Sequence, residues 1–404
     1  MTAVPIQSTL SRVMITELGL PATLVAILAA FPYLFSPLQV AVGSFSDRHP
    51  LGGRRRTPYI LLGLVLCVIG LAASPWAAYA FGGSSAAGVL FSILAFGAWG
   101  MGFTFSTVSY FSLASELSGE KGRARTVATM FFLMIVSIII TSIILSRMLD
   151  PYTPDALRLS FAKVAGAALL IGLLGVVGLE PRHGGDGAGT EARPSWAERW
   201  KALSGNRPAV RFFVYLILML AAILGQDILL APYGAAAFGM SVKESTGITS
   251  VWGTFTLVSI VAAGLLEGRV NKRLFIVTGS IGAAASYFLI IASGLVPSSA
   301  LFYVAVSALG LATGLATVSN LSLMLEMTVP GRVGLFMGAW GMADAIARLC
   351  GNLASGVVRD VVTRVAGSSV TGYSVVFGLL LLMLVASLPI LPRVQAAQFR
   401  AMAR

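Results

Sequence analysis

Runs of about twenty mostly apolar residues recur along almost the whole chain, and the charged residues collect in the short stretches between them. A bilayer offers no water to backbone N–H and C=O groups, so a spanning segment satisfies them internally as a helix. The pattern therefore predicts an all-α polytopic membrane protein. Charged residues make up only 11% of the sequence and mean hydropathy is +0.87, against about 25% charged residues in a soluble domain. Eleven complete spans are expected, roughly at 22–45, 57–80, 86–112, 126–147, 157–179, 210–232, 246–267, 273–295, 299–323, 333–360 and 371–392.

The first twenty residues are too short and too polar for a further span. They read as the C-terminal end of a first helix whose beginning is missing. Residues 180–209 divide the chain. They begin Gly- and charge-rich, turn amphipathic around Trp196 and Trp200, and read as a cytoplasmic linker leading into an interfacial helix. This gives an N-terminal bundle at 1–179, a C-terminal bundle at 210–392 and a cytoplasmic tail at 393–404. The formal charge of +12 follows topology and does not point to nucleic acid. With the loop around Asp47 in the cytoplasm, cytoplasmic segments hold 20 of the 28 Lys and Arg residues and the opposite face holds six. That asymmetry is the positive-inside pattern. Anionic headgroups of membrane lipids are the natural partners of the arginine run Arg54–Arg56.

The loop after the 22–45 span carries Gly43, Asp47, Arg48, Gly52, Arg54 and Arg55. Its spacing resembles the signature loop between the second and third helices of the major facilitator superfamily. The resemblance implies two pseudo-symmetric six-helix bundles, here with the first helix truncated. Gly43 removes a side chain where helices approach closely, and Asp47 is placed to accept from a helix N-terminus or an arginine at a cytoplasmic gate. Weak repetition supports two halves. Gly264 to Arg273 echoes the Gly43 loop, and Glu116 with Arg123 is echoed by Glu326 with Arg332. The two Glu–Arg pairs read either as matching latches or as solvated loop charges of little energetic worth.

Charges inside spans are costly and usually face a cavity or a partner. Asp227 sits well inside the 210–232 span, where a proton carrier, a cargo contact, a gate and an internal ion pair all remain open. Asp344 and Arg348, four residues apart, share one helix face and read as an intramembrane ion pair. Gln39 and Asn320 are further mid-span polar groups, suited to interhelical hydrogen bonds. No catalytic group or resident metal is expected. Both histidines, His49 and His183, lie in loops, no Cys/His cluster has metal-site spacing and no phosphate-binding Gly-Lys-Ser/Thr motif occurs. Cys67 and Cys350 lie within apolar runs, so no disulfide framework is suggested.

Five blocks carry a narrower resemblance: Leu10 to Pro21, Phe35 to Val40, Asp47 to Tyr59, Gln226 to Gly234 and Gly338 to Gly341. They are similar to the PucC/LhaA group, the bacteriochlorophyll-delivery branch of the superfamily in phototrophic bacteria. The resemblance implies a bacterial inner or intracytoplasmic photosynthetic membrane. It implies assembly of light-harvesting antenna complexes, with bacteriochlorophyll or a precursor as non-covalent cargo. Antenna polypeptides, bacteriochlorophyll synthase and the reaction-centre assembly machinery are the partners it suggests. This chain has Ala231 where that group commonly has Glu. A chlorin held in the bilayer would find no histidine here, so its magnesium would take Gln39, Gln226, Asp227, Asn320, a backbone carbonyl or water. Phe103, Phe105, Phe111, Met130, Phe131 and Phe132 could hold its ring and tail, or simply face lipid. Two alternatives stand beside delivery: a proton-coupled small-molecule transporter using Asp227, and a chaperone for antenna helices that never touches pigment.

Overall fold

The computed structural model of the protein describes residues 1–36, 49, 51, 53–83, 85–180, 207–266, 272–327 and 333–393. Among them there is no β-strand, and nearly all are helical. The elements are α1 (Ala22–Ala29), α2 (Phe31–Leu34), α3 (Thr57–Gly82), α4 (Ala86–Met148), α5 (Pro154–Val176), α6 (Arg207–Leu224), α7 (Leu230–Phe238), α8 (Val242–Leu265), α9 (Lys272–Leu295), α10 (Ser299–Met327), α11 (Val333–Ala366) and α12 (Ser369–Ser387). Ahead of α1, the helical stretches Pro5–Leu10 and Val13–Glu17 have π-type hydrogen bonding and bury Ile6, Leu10, Val13 and Met14.

Among the described residues, eight segments are long and apolar enough to cross a membrane: Thr57–Gly82, Ala86–Ala114, Ala128–Met148, Pro154–Val176, Val242–Leu265, Arg273–Leu295, Ser299–Asn320 and Ser369–Leu391. Each matches an expected span. The other three depart for visible reasons. Residues 37–45 of the first expected span lie outside the described residues, and its described part is split between α1 and α2. The 210–232 span is interrupted at residues 225–229. The 333–360 span forms α11, whose Asp344, Arg348, Arg359, Asp360 and Arg364 depress its hydropathy.

α4 supplies two spans because it turns back on itself. The Ser118 hydroxyl donates to the Thr126 hydroxyl at 2.6 Å, whereas eight residues of a straight helix rise about 12 Å. Successive spans therefore run in opposite directions. One end of the bundle carries Arg54–Arg56 and Glu180. The opposite end carries the turns near residues 83–85, 149–153, 239–241 and 367–368.

Helices that start at the opposite end carry their own caps. Ser85 accepts from Gly88, Thr153 from Ala156 and Ser368 from Thr371, and Ser241 forms a capping box with Glu244. Small residues allow the close crossings within each half. A Cβ on Gly310 would meet the Trp252 carbonyl at 2.5 Å, so α10 and α8 touch backbone to backbone. Tyr233 anchors the C-terminal half, ringed by Phe238, Phe302, Tyr373 and Phe377, with its hydroxyl donating to the Ile290 carbonyl at 2.8 Å. Cys67 is buried, Cys350 is exposed and both are free thiols.

Candidate functional site

The expected continuous helix over 210–232 is broken. α6 stops at Leu224 and α7 starts at Leu230. Two residues explain the break. Pro232 has no N–H to offer the Ile228 carbonyl four residues back. Gly225 weakens the helix on the other side, and a Cβ there would come within 3.1 Å of Ser355 Oγ. The backbone tightens in between, so that the Leu229 N–H bonds to the Gln226 carbonyl instead of that of Gly225. Both signals were present in the sequence, but a hydropathy reading smooths over them.

The break turns Asp227 toward α11. Arg348 Nη1 donates to Asp227 Oδ2 at 3.0 Å, and Arg348 Nε donates to Asp344 Oδ2 at 3.0 Å. What reads in sequence as a pair plus a separate aspartate is one cluster with arginine at its centre. Two carboxylates around one guanidinium leave one negative charge in excess when all three are ionised. Gln226 Nε2 donates to the other Asp227 oxygen at 3.1 Å. The N-terminal half closes the group. The Tyr33 ring lies 5.6 Å from the Arg348 guanidinium carbon, and Gln7 Nε2 donates to the Tyr33 hydroxyl at 2.9 Å. The three charged side chains keep 15–26% exposure, so they border a crevice between the halves and are not sealed within one bundle.

Other expected groups lie elsewhere. Asn320 is buried in α10, donating to the Ala316 carbonyl at 2.7 Å and to Met219 Sδ at 3.1 Å, with Oδ1 left without a donor. Phe131 meets Trp340 edge-on across the two halves at 6.0 Å. Arg54 closes a tight turn with Leu51 through Gly53, whose φ of 73° suits glycine. Gln39, Gly43, Asp47, Arg48, Gly52 and Arg332 lie outside the described residues, as do the side chains of Glu116, Arg123 and Glu326. No group of three or more His, Cys, Asp or Glu suited to a metal ion occurs among the described residues.

Two acidic residues that the sequence reading passed over have defined roles. Glu180, read as the first residue of the linker, is buried and caps α3. Its carboxylate accepts from the backbone N–H groups of Arg55 at 2.7 Å, Arg56 at 3.1 Å and Thr57 at 2.7 Å. Burial pushes its pKa up, but these N–H groups outweigh burial and hold it below the ordinary value. At the opposite end, Asp360 of α11 accepts from the N–H groups of Ala22 and Thr23 and from the Thr23 hydroxyl, at 2.7–3.0 Å. Arg359 pairs with it at 3.0 Å. No local pattern marks Glu180, which acts across more than a hundred residues. Adjacent Arg359 and Asp360 at a span's end were a visible but weak signal.

The Asp360 contact belongs to a polar seam that joins the halves at the opposite end. Arg12 Nη2 donates to the Met240 carbonyl at 3.0 Å and also pairs with Glu17. Thr249 bonds Ser8 at 2.8 Å, Thr9 bonds Thr246 at 3.1 Å, and Ser142 and Ser146 donate to the Thr246 and Lys243 carbonyls at 2.7 and 2.8 Å. Chemically the molecule offers two halves fastened at one end by hydroxyl hydrogen bonds together with charged contacts of Arg12, Asp360 and a Lys243–Asp150 pair at 2.6 Å, and a charged cluster between them.

A family model described as "PUCC protein" matches residues 9–399. The chain is 29% identical over 418 residues to Protein PucC of Cereibacter sphaeroides, covering 98% of this chain and 90% of that protein. It is 30% identical over 380 residues to a Rhodobacter capsulatus protein named "Bacteriochlorophyll synthase 44.5 kDa chain", covering 92% and 86%. A third relative, 28% identical with 93% and 82% covered, is an uncharacterized protein of the puhA-bchM intergenic region of Rhodobacter capsulatus. Among solved structures, a bacterial homologue of the human lysosomal transporter Spinster superposes with a TM-score of 0.69 at 14% identity, covering 100% of this chain and 96% of that one. A D-xylose-proton symporter gives 0.64 at 17% identity, covering 95% and 93%. These neighbours have the major facilitator fold.

Proposed function

This chain belongs to the PUCC protein family, and from that membership we propose that it is an assembly factor for light-harvesting antenna complexes that hands bacteriochlorophyll to antenna polypeptides. The observation that carries the reading is the match over residues 9–399, which takes in both halves and the break. Relatives named Protein PucC and Bacteriochlorophyll synthase 44.5 kDa chain set the photosynthetic context.

The geometry suits a carrier that holds cargo loosely. Asn320 Oδ1 is a buried oxygen without a donor, the property a magnesium ligand needs. It is sealed in its own bundle, so a chlorin reaches it only when the helices around it part. Edge-on Phe131 and Trp340 form apolar wall from both halves. The protein itself supplies no catalytic group in this reading. Antenna polypeptides and the enzymes that complete the pigment are its partners, and it sits in a bacterial inner or intracytoplasmic membrane with the Arg54–Arg56 loop on the cytoplasmic side.

Deleting the gene in its phototrophic host is expected to deplete assembled antenna absorbance while bacteriochlorophyll synthesis continues. Normal antenna levels in that strain would sink the proposal. Purification in mild detergent, followed by absorption spectroscopy and mass spectrometry, separates delivery from chaperoning: pigment and antenna polypeptide should co-purify, whereas antenna polypeptide retained by pigment-free cells would favour the chaperone.

The charged cluster supports one further reading, a proton-coupled transporter with Asp227 as carrier. That reading requires pH-dependent flux of a small solute in proteoliposomes, abolished by Asp227→Asn, and flux that survives the change rules it out.

A further inference from the structure

The break between α6 and α7 has polar groups that protein partners leave unused. Gln226 is 2% exposed, and its Oε1 has no donor although its Nε2 is committed to Asp227. Asn352 is fully buried with neither amide oxygen nor amide nitrogen bonded, and the Ser355 hydroxyl is likewise buried without a partner. A buried amide or hydroxyl left unpaired forfeits its hydration with nothing in return, so orphans gathered in one place call for an explanation.

They are gathered in one place. Arg348, Asn352 and Ser355 fall at helical spacing on one face of α11. Glycine contacts lay that face against the end of α6. A Cβ on Gly351 would meet the Ala221 carbonyl at 2.6 Å and the Gly225 Cα at 3.2 Å, and Ser355 Oγ lies beside Gly225. The same break frees backbone carbonyls. Ile228 loses its donor to Pro232, and Gly225 loses the Leu229 N–H to Gln226.

We propose that the α6–α7 break binds a monovalent metal cation of the sodium class, through the freed carbonyls of Gly225 and Ile228, Gln226 Oε1, Asn352 Oδ1 and Ser355 Oγ, beside Asp227. Charge selects the valence. Asp227 and Asp344 around Arg348 leave one negative charge in excess, which one monovalent cation balances. Both carboxylates are already engaged by the guanidinium, so too few free carboxylates remain for a divalent ion. Ligand type selects the class, because carbonyl, amide and hydroxyl oxygens are hard donors. Interrupted membrane helices place unwound carbonyls where such ions sit. Arg348 is the link to the rest of the molecule: a cation near Asp227 weakens its hold on the guanidinium that stacks on Tyr33 of the other half.

The test is thermal unfolding of the purified full chain in detergent near neutral pH, with sodium chloride exchanged for choline chloride at constant ionic strength. Sodium is expected to raise the midpoint by about 3 °C or more, saturably. The rise should fall to less than a third in Asn352→Ala and in Gln226→Leu. It should persist in Thr141→Val, whose hydroxyl is an equally buried orphan in the N-terminal half. Radioactive sodium bound by the wild-type chain, and displaced by unlabelled sodium but not choline, keeps the test independent of how the variants fold. Equal midpoints in sodium and choline, no displaceable binding, or a rise untouched by both variants overturns the proposal. So does a rise obtained in choline by acidification alone, which would make a proton the balancing charge. None of these readouts involves pigment or antenna polypeptides, so the cation site and antenna assembly stand or fall separately.

Discussion

Carboxylates do two different jobs in this molecule, and the partner decides which. Glu180 and Asp360 each receive two or three backbone N–H groups at the start of a helix. Asp227 and Asp344 instead grip a guanidinium between the halves, with one charge left over. A helix N-terminus is a fixed partial charge that cannot move away, so a carboxylate there serves as a fastener. A guanidinium on a long side chain can change partners, so carboxylates there can take part in a rearrangement. The lesson is that the acids which hold the fold and the acids which can respond are separable by what donates to them.

The sharpest way to break that comparison is to remove the arginine. Arg348→Met leaves two carboxylates unpaired in a low-dielectric crevice, and loss of one partner of a buried pair typically costs about 3–5 kcal/mol. A large fall in folded yield and in unfolding midpoint is expected, measured by fluorescence-detected size exclusion. Adding Asp227→Asn and Asp344→Asn to Arg348→Met should restore most of the yield, because the charges then leave together. A triple variant as unstable as the single one would mean that packing of the arginine stem, not charge, holds the site.

Asp360→Ala is next. It removes the acceptor for two backbone N–H groups and one hydroxyl and leaves Arg359 without its carboxylate. The expected loss is about 2–3 kcal/mol, with α1 loosened from α11. A thiol introduced by Thr23→Cys reports it. Labelling by a membrane-impermeant maleimide should be slow in the otherwise wild-type chain and several-fold faster when Asp360→Ala is added. Equal rates would mean that the Ser and Thr bonds of the seam keep that end shut without Asp360.

Much of the fold was legible in the sequence, because hydropathy records what a bilayer demands. Ser85, Thr153, Ser241 and Ser368 are local caps that anyone can read three residues ahead of their N–H groups. The members of the central cluster were legible as costly intramembrane charges. Their union was not, because it depends on a helix break that turns Asp227 toward α11. Pro232 and Gly225 announce that break only to a reading of backbone hydrogen bonds. Glu180 was illegible for another reason. Residues 55–57 carry no side-chain cap of their own, and the acceptor that serves them comes from the end of α5, in sequence the edge of a linker. Whole-chain resemblance named the family, but it could not distinguish the acids that fasten the fold from those that respond.

The smallest effect belongs to Glu180, and it is the one with a pH signature. Its pKa is depressed in the folded chain because the N–H groups of residues 55–57 stabilise the ionised carboxylate more than burial penalises it. A depressed folded pKa gives stability that is complete above the ordinary glutamate value of about 4.3 and is lost as pH falls through the folded value. Glu180→Gln keeps one acceptor oxygen and drops the charge, so it should cost about 1 kcal/mol near neutral pH. The difference between variant and wild type should shrink as the medium is acidified below the ordinary range, since the wild-type carboxyl then becomes neutral too. Unfolding midpoints of both chains across that range decide the matter. A difference that stays constant on acidification would mean that Glu180 acts through packing rather than charge, and the line between fastening and responding acids would have to be redrawn.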